Sequence, residues 1–241
     1  HESGSVFVQI SDENLHHVRE VMDEIFGPNN LAGLITFTKS TGLGTKGLPA
    51  RCDYIVWYAK NINEYKYRQI FIQKNIGEAG ASQYDWVQKE NGEQRKMFSN
   101  EKLGQSDKPF HIGDASAMFT TPHLALPIDF KGKKVSPPAN RQWQTTAEGM
   151  YRLAKTNKLL LVGNSMRYVR FYDDFPVYPI DSLWTDTGVS GFGDAKIYVV
   201  QTNQKVIERC LLMTTDPGDL MLDPTCGSGT SAFVAEKWGR R

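Results

Sequence analysis

Apolar and polar positions over the first sixty residues follow two periods in turn. Ser5 to Ile10 is a β-branched and aromatic run that predicts a buried strand. Ser11 and Asp12 then offer N-cap side chains. From there the apolar residues fall at Leu15, Val18, Val21, Met22, Ile25 and Phe26, the spacing of one helical face. Gly27-Pro28 closes that helix. Leu31 to Phe37 predicts a second strand and Asp53 to Ala59, "DYIVWYA", a third, with Tyr54, Trp57 and Tyr58 read as strand packing rather than base stacking. The loop between them, "KSTGLGTKGLPAR", is glycine-rich and carries Lys39, Lys46 and Arg51; it reads equally as a phosphate contact or as a simple mobile loop.

From about Asn61 to Trp184 the periodicity weakens. Short strand-like pieces, "MFTTP" and "LLLVG", sit among polar loops and prolines, with no repeat and no low-complexity tract. The stretch reads as an inserted, mixed or loop-rich subdomain. Order then returns: a short strand over Lys196 to Val200, and a helix over Asn203 to Thr215 with Val206, Ile207, Cys210, Leu211 and Met213 on one face. A turn at Asp216 to Asp219, a strand over Leu220 to Leu222, and a helix from Thr230 to Trp238 ended by Gly239 follow. Strands alternating with helices at both ends argue for an α/β fold with a largely parallel sheet, onto which the middle is grafted.

Composition narrows the class. With 241 residues, 40% hydrophobic and 23% charged, the chain has the make-up of a soluble globular protein. No apolar run is long enough to cross a membrane, and the amino end carries no signal-peptide pattern. Cys52, Cys210 and Cys226 lie far apart with no CxxC pair, which points to a reducing, cytoplasmic compartment and to neither a disulfide framework nor a zinc site. The five histidines are scattered and suggest no metal. The chain begins at His1, inside a strand pattern, and reads as a piece of a longer protein.

Charge adds more by distribution than by its net value of +1. Between Lys131 and Arg170 nine basic residues face a single acid, Glu148, and Trp143, Tyr151, Tyr168 and Phe171 are interleaved with them. Basic clustering with aromatics is an electrostatic footprint for nucleic acid; a solvated lysine-rich surface gives the same count. The candidate DNA contacts are Lys39, Lys46, Lys131, Lys133, Lys134, Arg141, Arg167 and Arg170.

The sharpest chemical signal is "LMLDPTCGSGTSAFVAEKW", Leu220 to Trp238. Gly227 and Gly229 permit backbone geometry and close approach that a Cβ blocks, and a helix start behind them presents unsatisfied N–H groups. The loose dinucleotide pattern G-x-G-x-x-G/A is met by "GSGTSA". Asp223 separates the ligands. A carboxylate beside a pyrophosphate is repelled, whereas S-adenosylmethionine has no phosphate and carries a sulfonium and an ammonium. Asp223-x-x-x-Gly227-x-Gly229 therefore suits that donor better than NAD.

These residues carry a family likeness. "PGDLMLDPTCGSGT" resembles motif I of DNA amino-methyltransferases, and "YVVQTNQKVIERCLLMTTDPGD" is similar to the motif X helix that precedes it in the β-type order. "ESGSVFVQISDENLHHVREVMDEIFGPNN" and "TKGLPARCDYIVWYAKN" resemble segments that follow the family's catalytic motif; "SPPANRQW", "GMYRLAK" and "SLWTD" look like landmarks around its target-recognition region. The likeness is strongest to type III modification subunits and related site-specific adenine methyltransferases. It implies an incomplete Rossmann-like fold, doubly wound with one antiparallel strand and an inserted recognition region. Residues 1–70 would be the front of the methyltransferase domain, 71–184 the DNA-binding region, and 185–241 the cofactor part. It implies S-adenosylmethionine held by Asp223, Pro224, Cys226, Gly227, Ser228 and Gly229, with Gln201 and Thr202 toward the methionine end, where many members carry a lysine. It implies double-stranded DNA as substrate, a restriction subunit or a second copy as partner, and methyl transfer to the exocyclic amine of a flipped adenine or cytosine. The catalytic tetrapeptide, Asp-Pro-Pro-Tyr or a variant, is absent; "DFPVY", Asp174 to Tyr178, follows no apolar strand and is no substitute. The tetrapeptide is expected before His1, and these 241 residues alone are expected to be inactive. Against this stand half of a nicotinamide-dependent oxidoreductase, a non-enzymatic DNA-binding module and an RNA methyltransferase.

Overall fold

A computed structural model describes residues 1–39, 48–78, 80–98, 101–118, 120–188 and 202–241. In chain order its first elements are β1 (Ser5–Ile10), α1 (Asp12–Phe26), β2 (Leu31–Thr38) and β3 (Cys52–Ala59). Then come β4 (Phe71–Gln73), β5 (Trp86–Gln88), β6 (Gln94–Lys96), β7 (Lys108–Asp114), β8 (Ser116–Met118), β9 (Ile128–Phe130), β10 (Lys133–Val135) and β11 (Arg141–Trp143). The last are α2 (Ala147–Lys155), β12 (Leu159–Val162), β13 (Ser165–Phe171), β14 (Val177–Pro179), β15 (Leu183–Trp184), α3 (Gln204–Thr214) and α4 (Thr230–Lys237). The chain divides into two compact units, one of His1–Phe71 with Pro179–Arg241 and one of Ile72–Tyr178.

The first unit is built on a four-stranded sheet ordered β1-β3-β2-β15. β3 runs antiparallel to both β1 and β2, and β15 runs parallel to β2. Three strands thus share one direction and β3 alone opposes them. The expectation of a largely parallel sheet holds for strand direction but not for pairing, because β3 sits between the two strands that α1 connects. α1 packs Met22, with Leu15, Val18 and Phe26, onto Val56 and Tyr58 of β3 and Val6, Val8 and Ile10 of β1. Val56 and Tyr58 are fully buried, each contributing about 1.5–3 kcal/mol of transfer free energy. The apolar stripe of α1 is wider than its buried face: Val21 and Ile25 remain exposed. Ser11 occupies the N-cap without a side-chain bond, so Asp12 and Glu13 in the first turn supply the favourable dipole interaction instead. Gly27, at φ +83°, ends the helix by donating its N–H to Asp23 O.

The carboxyl end of the chain forms a second small core, Leu211 of α3 against Val234 and Ala235 of α4, with Met221 packed on it. Here the sequence expectation is corrected: Leu220 to Leu222 is not a strand, and Leu220 and Leu222 are exposed. Among the described residues the segment pairs along one side only. Arg241 donates its N–H to Asp219 O, and Met221 donates to Arg241 O. That is the slanted pattern of a parallel pair, too short to count as a strand. The strand expected over Lys196 to Val200 lies outside the described residues.

In the second unit the described sheets are antiparallel throughout, not mixed. The larger is ordered β12-β13-β7-β5-β6. Phe110, Val87 and Val169 are fully buried, and α2 lays Met150 and Leu153 over Leu159 and Met166 together with Trp143 and Phe130. The "LLLVG" piece is β12; of "MFTTP" only Met118 belongs to a strand.

Candidate functional site

The glycine loop is shaped by three residues in the left-handed region, two of them adjacent. Cys226 has φ +46°, Gly227 +51° and Gly229 +76°. Gly227 N–H donates to Thr225 O at 2.5 Å, and Gly229 N–H to Cys226 O at 2.8 Å, so two tight turns follow one another. Asp223 holds the first of them. Its Oδ1 accepts from Thr225 N–H at 3.0 Å, the Thr225 hydroxyl at 3.0 Å and Cys226 N–H at 2.9 Å. The Ser231 hydroxyl holds the Asp223 carboxyl below its ordinary range, as do the Cys226 and Thr225 donors, against partial burial. The group is therefore an anion at neutral pH, with Oδ1 spent on the loop itself.

Gly229 is also the N-cap of α4, and no side chain caps that helix. A Cβ at Gly227 or Gly229 would meet no atom within 4 Å. These glycines are required by backbone conformation, and the space in front of them is open. Cys226 is exposed, Ser228 Oγ lies 2.7 Å from Thr230 Oγ1, and Pro224 sits in the bend after Asp223. An open cradle beside a fixed anion fits a cationic small ligand better than a phosphate ester.

The three co-directional strands of the first unit end together, the side on which open α/β sheets hold ligands. Thr202 Oγ1 donates to Gln9 Oε1 at 2.6 Å, Gln9 Nε2 reaches Asp53 Oδ2 at 3.5 Å, and Lys39 Nζ contacts Asp53 Oδ1 at 2.6 Å. The Asp53 hydrogen bond raises the Lys39 pKa against the effect of burial. Asn203 caps α3 through Lys205 N–H at 2.9 Å and donates Nδ2 to Thr187 O at 2.9 Å, which fixes the helix start, and Thr202 with it, beside the end of β15. Thr187 in turn donates to Thr38 O at 2.9 Å. Gln9, Asp53 and Asn203 were not singled out by sequence; their only signal is position at strand ends and a helix start. Gln201 and Lys46, with the rest of the Thr41 to Gly47 loop, lie outside the described residues.

The basic residues of the second unit separate into two kinds. Arg141 and Arg167 converge on one acid: Arg141 contacts Asp114 Oδ2 at 3.2 Å, and Arg167 pairs with Asp114 Oδ1. Arg141 also donates to Ser116 Oγ at 2.9 Å and to Ser116 O at 2.5 Å. These guanidinium groups tie β11, β8, β7 and β13 together. By contrast Lys131, Lys133 and Lys134 are exposed around the β9–β10 hairpin, whose two-residue turn places Lys131 at φ +48° and Gly132 at +78°. None of the three has an ion pair among the described residues. The exposed Arg170 guanidinium lies 5.4 Å from the Tyr168 ring centroid. Asp174 of "DFPVY" is paired with Lys158 at 2.6 Å.

Fold and site together define a mixed α/β protein with a glycine-turned, anion-anchored loop in one unit and a basic hairpin in the other. The chain belongs to the DNA methylase family, which it matches over residues 1–241. It is 26% identical over 247 residues to the type II methyltransferase M.EcaI of Enterobacter cloacae, covering 100% of this chain and 49% of that protein. It is 22% identical over 292 residues to the probable type III restriction-modification enzyme HindVI Mod subunit of Haemophilus influenzae, covering 100% of this chain and 39% of that protein. A shorter match, 31% over 90 residues, is to the EcoP15I Mod subunit of Escherichia coli, covering 34% of this chain and 14% of that protein. The chain thus spans half or less of the length of these relatives.

Proposed function

We propose that the protein is a site-specific DNA methyltransferase that moves a methyl group from S-adenosylmethionine to the exocyclic amine of adenine or cytosine. In this reading the chain supplies the donor site and the recognition region. The observation that carries it is the Asp223–Gly229 loop: an anion fixed by four loop and helix donors, next to two glycines with open space before them. Bound there, the donor would bring an electrophilic methyl on a positively charged sulfur. Asp223 fixes the turn and lends it negative charge, while Pro224, Cys226, Gly227, Ser228 and Gly229 shape the cradle. Thr202 stands at the carboxyl end of the sheet beside Gln9 and Asp53. The parallel backbone pair formed by Asp219, Met221 and Arg241 around α4 supports a Rossmann-like unit. The family match does not favour the nicotinamide reading.

Residues 71–184 are assigned to DNA recognition, with Lys131, Lys133 and Lys134 as phosphate contacts. The tetrapeptide that would hold the target amine is not among these 241 residues, so the isolated chain should transfer no methyl groups. A restriction subunit or a second copy is a natural partner, as the names of the Mod-subunit relatives suggest. Calorimetric titration of the full-length protein tests the donor: S-adenosylmethionine should bind and NAD should not. Binding of NAD alone would overturn the assignment.

A further inference from the structure

A cleft of about 380 Å³ opens in the second unit between α2 and the face of β13. Its floor is apolar, formed by Ala115, Met150 and Leu153, and its wall is the half-buried ring of Tyr168. Gln144, Thr145 and Arg152, which is paired with Glu148, supply the polar groups. The volume falls at the lower end of the range for small-molecule pockets, ~300–1,000 Å³, which suits one planar heterocycle and excludes a duplex.

Four details of the surroundings point to the occupant. Tyr168 pairs across the sheet with Gly113, and Arg170 with His111; directly opposed residues share a face. Gly113 leaves the space beside the Tyr168 ring empty, since a Cβ there would touch only His111 Nε2, at 4.0 Å. The Arg170 guanidinium is already placed near that ring, 5.4 Å from its centroid, and has no ion pair among the described residues. An aromatic face with an adjacent arginine is the usual platform for an unpaired base and its phosphate. Gln144 commits its amide N–H groups to Asp114 O at 3.0 Å and Ser116 O at 3.4 Å. Its Oε1 has no partner among the described residues and is left as an acceptor. The Thr145 side chain fills the position that a Cβ on Gly149 would take, 2.3 Å from its Oγ1, so the glycine in α2 makes room for that hydroxyl. Thr145 Oγ1 likewise has no hydrogen-bond partner among the described residues.

We propose that this cleft holds one unpaired nucleobase of the DNA, stacked on Tyr168, with its amino edge read by Gln144 Oε1 and Thr145 Oγ1 and its phosphate near Arg170. The inference rests on the reading that this unit contacts DNA. It adds a base-specific subsite distinct from the donor loop, with preference for bases that carry an exocyclic amine over thymine.

The test uses the full-length protein with fluorescent oligo(dA), oligo(dT) and a mixed-sequence duplex, titrated at several salt concentrations. Tyr168→Ala should weaken oligo(dA) binding by roughly 5- to 150-fold, the range for removing one base–aromatic stack, with the salt slope unchanged. Tyr168→Phe should bind as the parent does. Thr145→Val, which keeps the shape of the side chain, should narrow the preference for oligo(dA) over oligo(dT) and leave oligo(dT) affinity alone; it carries the test if Tyr168→Ala fails to fold. Irradiation with 5-iodocytosine-substituted oligonucleotide, whose base keeps the exocyclic amine, should crosslink Tyr168. Parental oligo(dA) binding by folded Tyr168→Ala, or crosslinks confined to other residues, overturns the subsite. The double variant Lys133→Glu/Lys134→Glu separates the two failures. If it flattens the salt slope while Tyr168→Ala and Thr145→Val do nothing, the unit contacts DNA without this subsite. If neither set has an effect, the recognition assignment falls as well.

Discussion

Replacing Gly229 by alanine separates the conformational role of the loop from ligand binding. Gly229 is at φ +76° and ψ +10°, in the left-handed region. A Cβ costs about 1–2 kcal/mol there, and the stiffer unfolded chain recovers about 0.4–1 kcal/mol of it. No protein atom lies within 4 Å of the new methyl, so no packing clash adds to the cost. The net loss is about 1 kcal/mol, or a fall of about 2–4 °C in Tm for a chain of this size. Gly163, in the β12–β13 turn, provides an internal control: it has φ +58° and equally open surroundings. Gly163→Ala should lose similar stability and leave donor affinity unchanged. If S-adenosylmethionine occupies the space before Gly229, the added methyl acts as overpacking, about 1–3 kcal/mol, and Kd rises roughly 5- to 150-fold. Differential scanning calorimetry and isothermal titration of the full-length protein read the two effects separately. If Gly229→Ala costs no more donor affinity than Gly163→Ala, the open cradle is not the donor site.

Arg141→Ala should lower Tm and leave the salt slope of DNA binding intact, because its guanidinium is bound to Asp114 and Ser116. Lys133→Glu with Lys134→Glu should do the reverse, changing the slope of log K against log salt by up to about 0.9 for each phosphate no longer neutralised. Cys226 is exposed whereas burial pushes the Cys210 thiol up to about 12; iodoacetamide should therefore label Cys226 first, and S-adenosylmethionine should slow that labelling. Tyr58 is raised to about 12 by burial and by its bond to Asp23. Its folded-state pKa lies above the unfolded value of about 10, so the stabilisation is complete below pH 10 and is lost as pH rises toward 12. Alkaline denaturation curves should lose that limb in Tyr58→Phe.

What could be read from sequence was local. β1, α1, β2 and β3 each carry a repeat complete within one window: alternation or a continuous apolar run for the strands, and the Leu15, Val18, Met22 stripe for the helix. α3 was legible for the same reason, from Val206, Ile207, Cys210, Leu211 and Met213 on one face. The second unit hid its order because its strands are mostly three or four residues long and its sheet is buried on both faces. Phe110 and Val169 fill one side while Met166 and Leu159 fill the other. No alternation survives in such strands, and α2, nine residues long, shows barely two turns of pattern. Leu220 to Leu222 misled for the opposite reason. Its composition is that of a buried strand, but pairing decides whether a strand forms, and among the described residues only Arg241 pairs with it.

The electrostatic reading missed the ion pairs that only the fold makes. Counting charge between Lys131 and Arg170 treats nine basic residues as one field, yet the acid that neutralises two of them lies outside that window. Asp114 meets Arg141 across 27 positions and Arg167 across 53, pairings that exist only once β7, β8, β11 and β13 are side by side. Lys158 is paired with Asp174, also beyond the window, and Arg152 with Glu148 inside it. A paired guanidinium held by a backbone carbonyl is part of the scaffold: moving Arg141 to a phosphate would break its bonds to Ser116 Oγ and Ser116 O as well as its ion pair with Asp114. The residual positive field therefore comes from Lys131, Lys133 and Lys134 on a two-stranded ribbon, from Lys155 at the end of α2 and from Arg170 beside an aromatic ring. In the proposed reading the ribbon lysines meet phosphates, while Tyr168 holds one base and Arg170 its phosphate. Charge that was one block in the sequence divides in the fold into paired scaffold groups and exposed groups without an ion pair among the described residues.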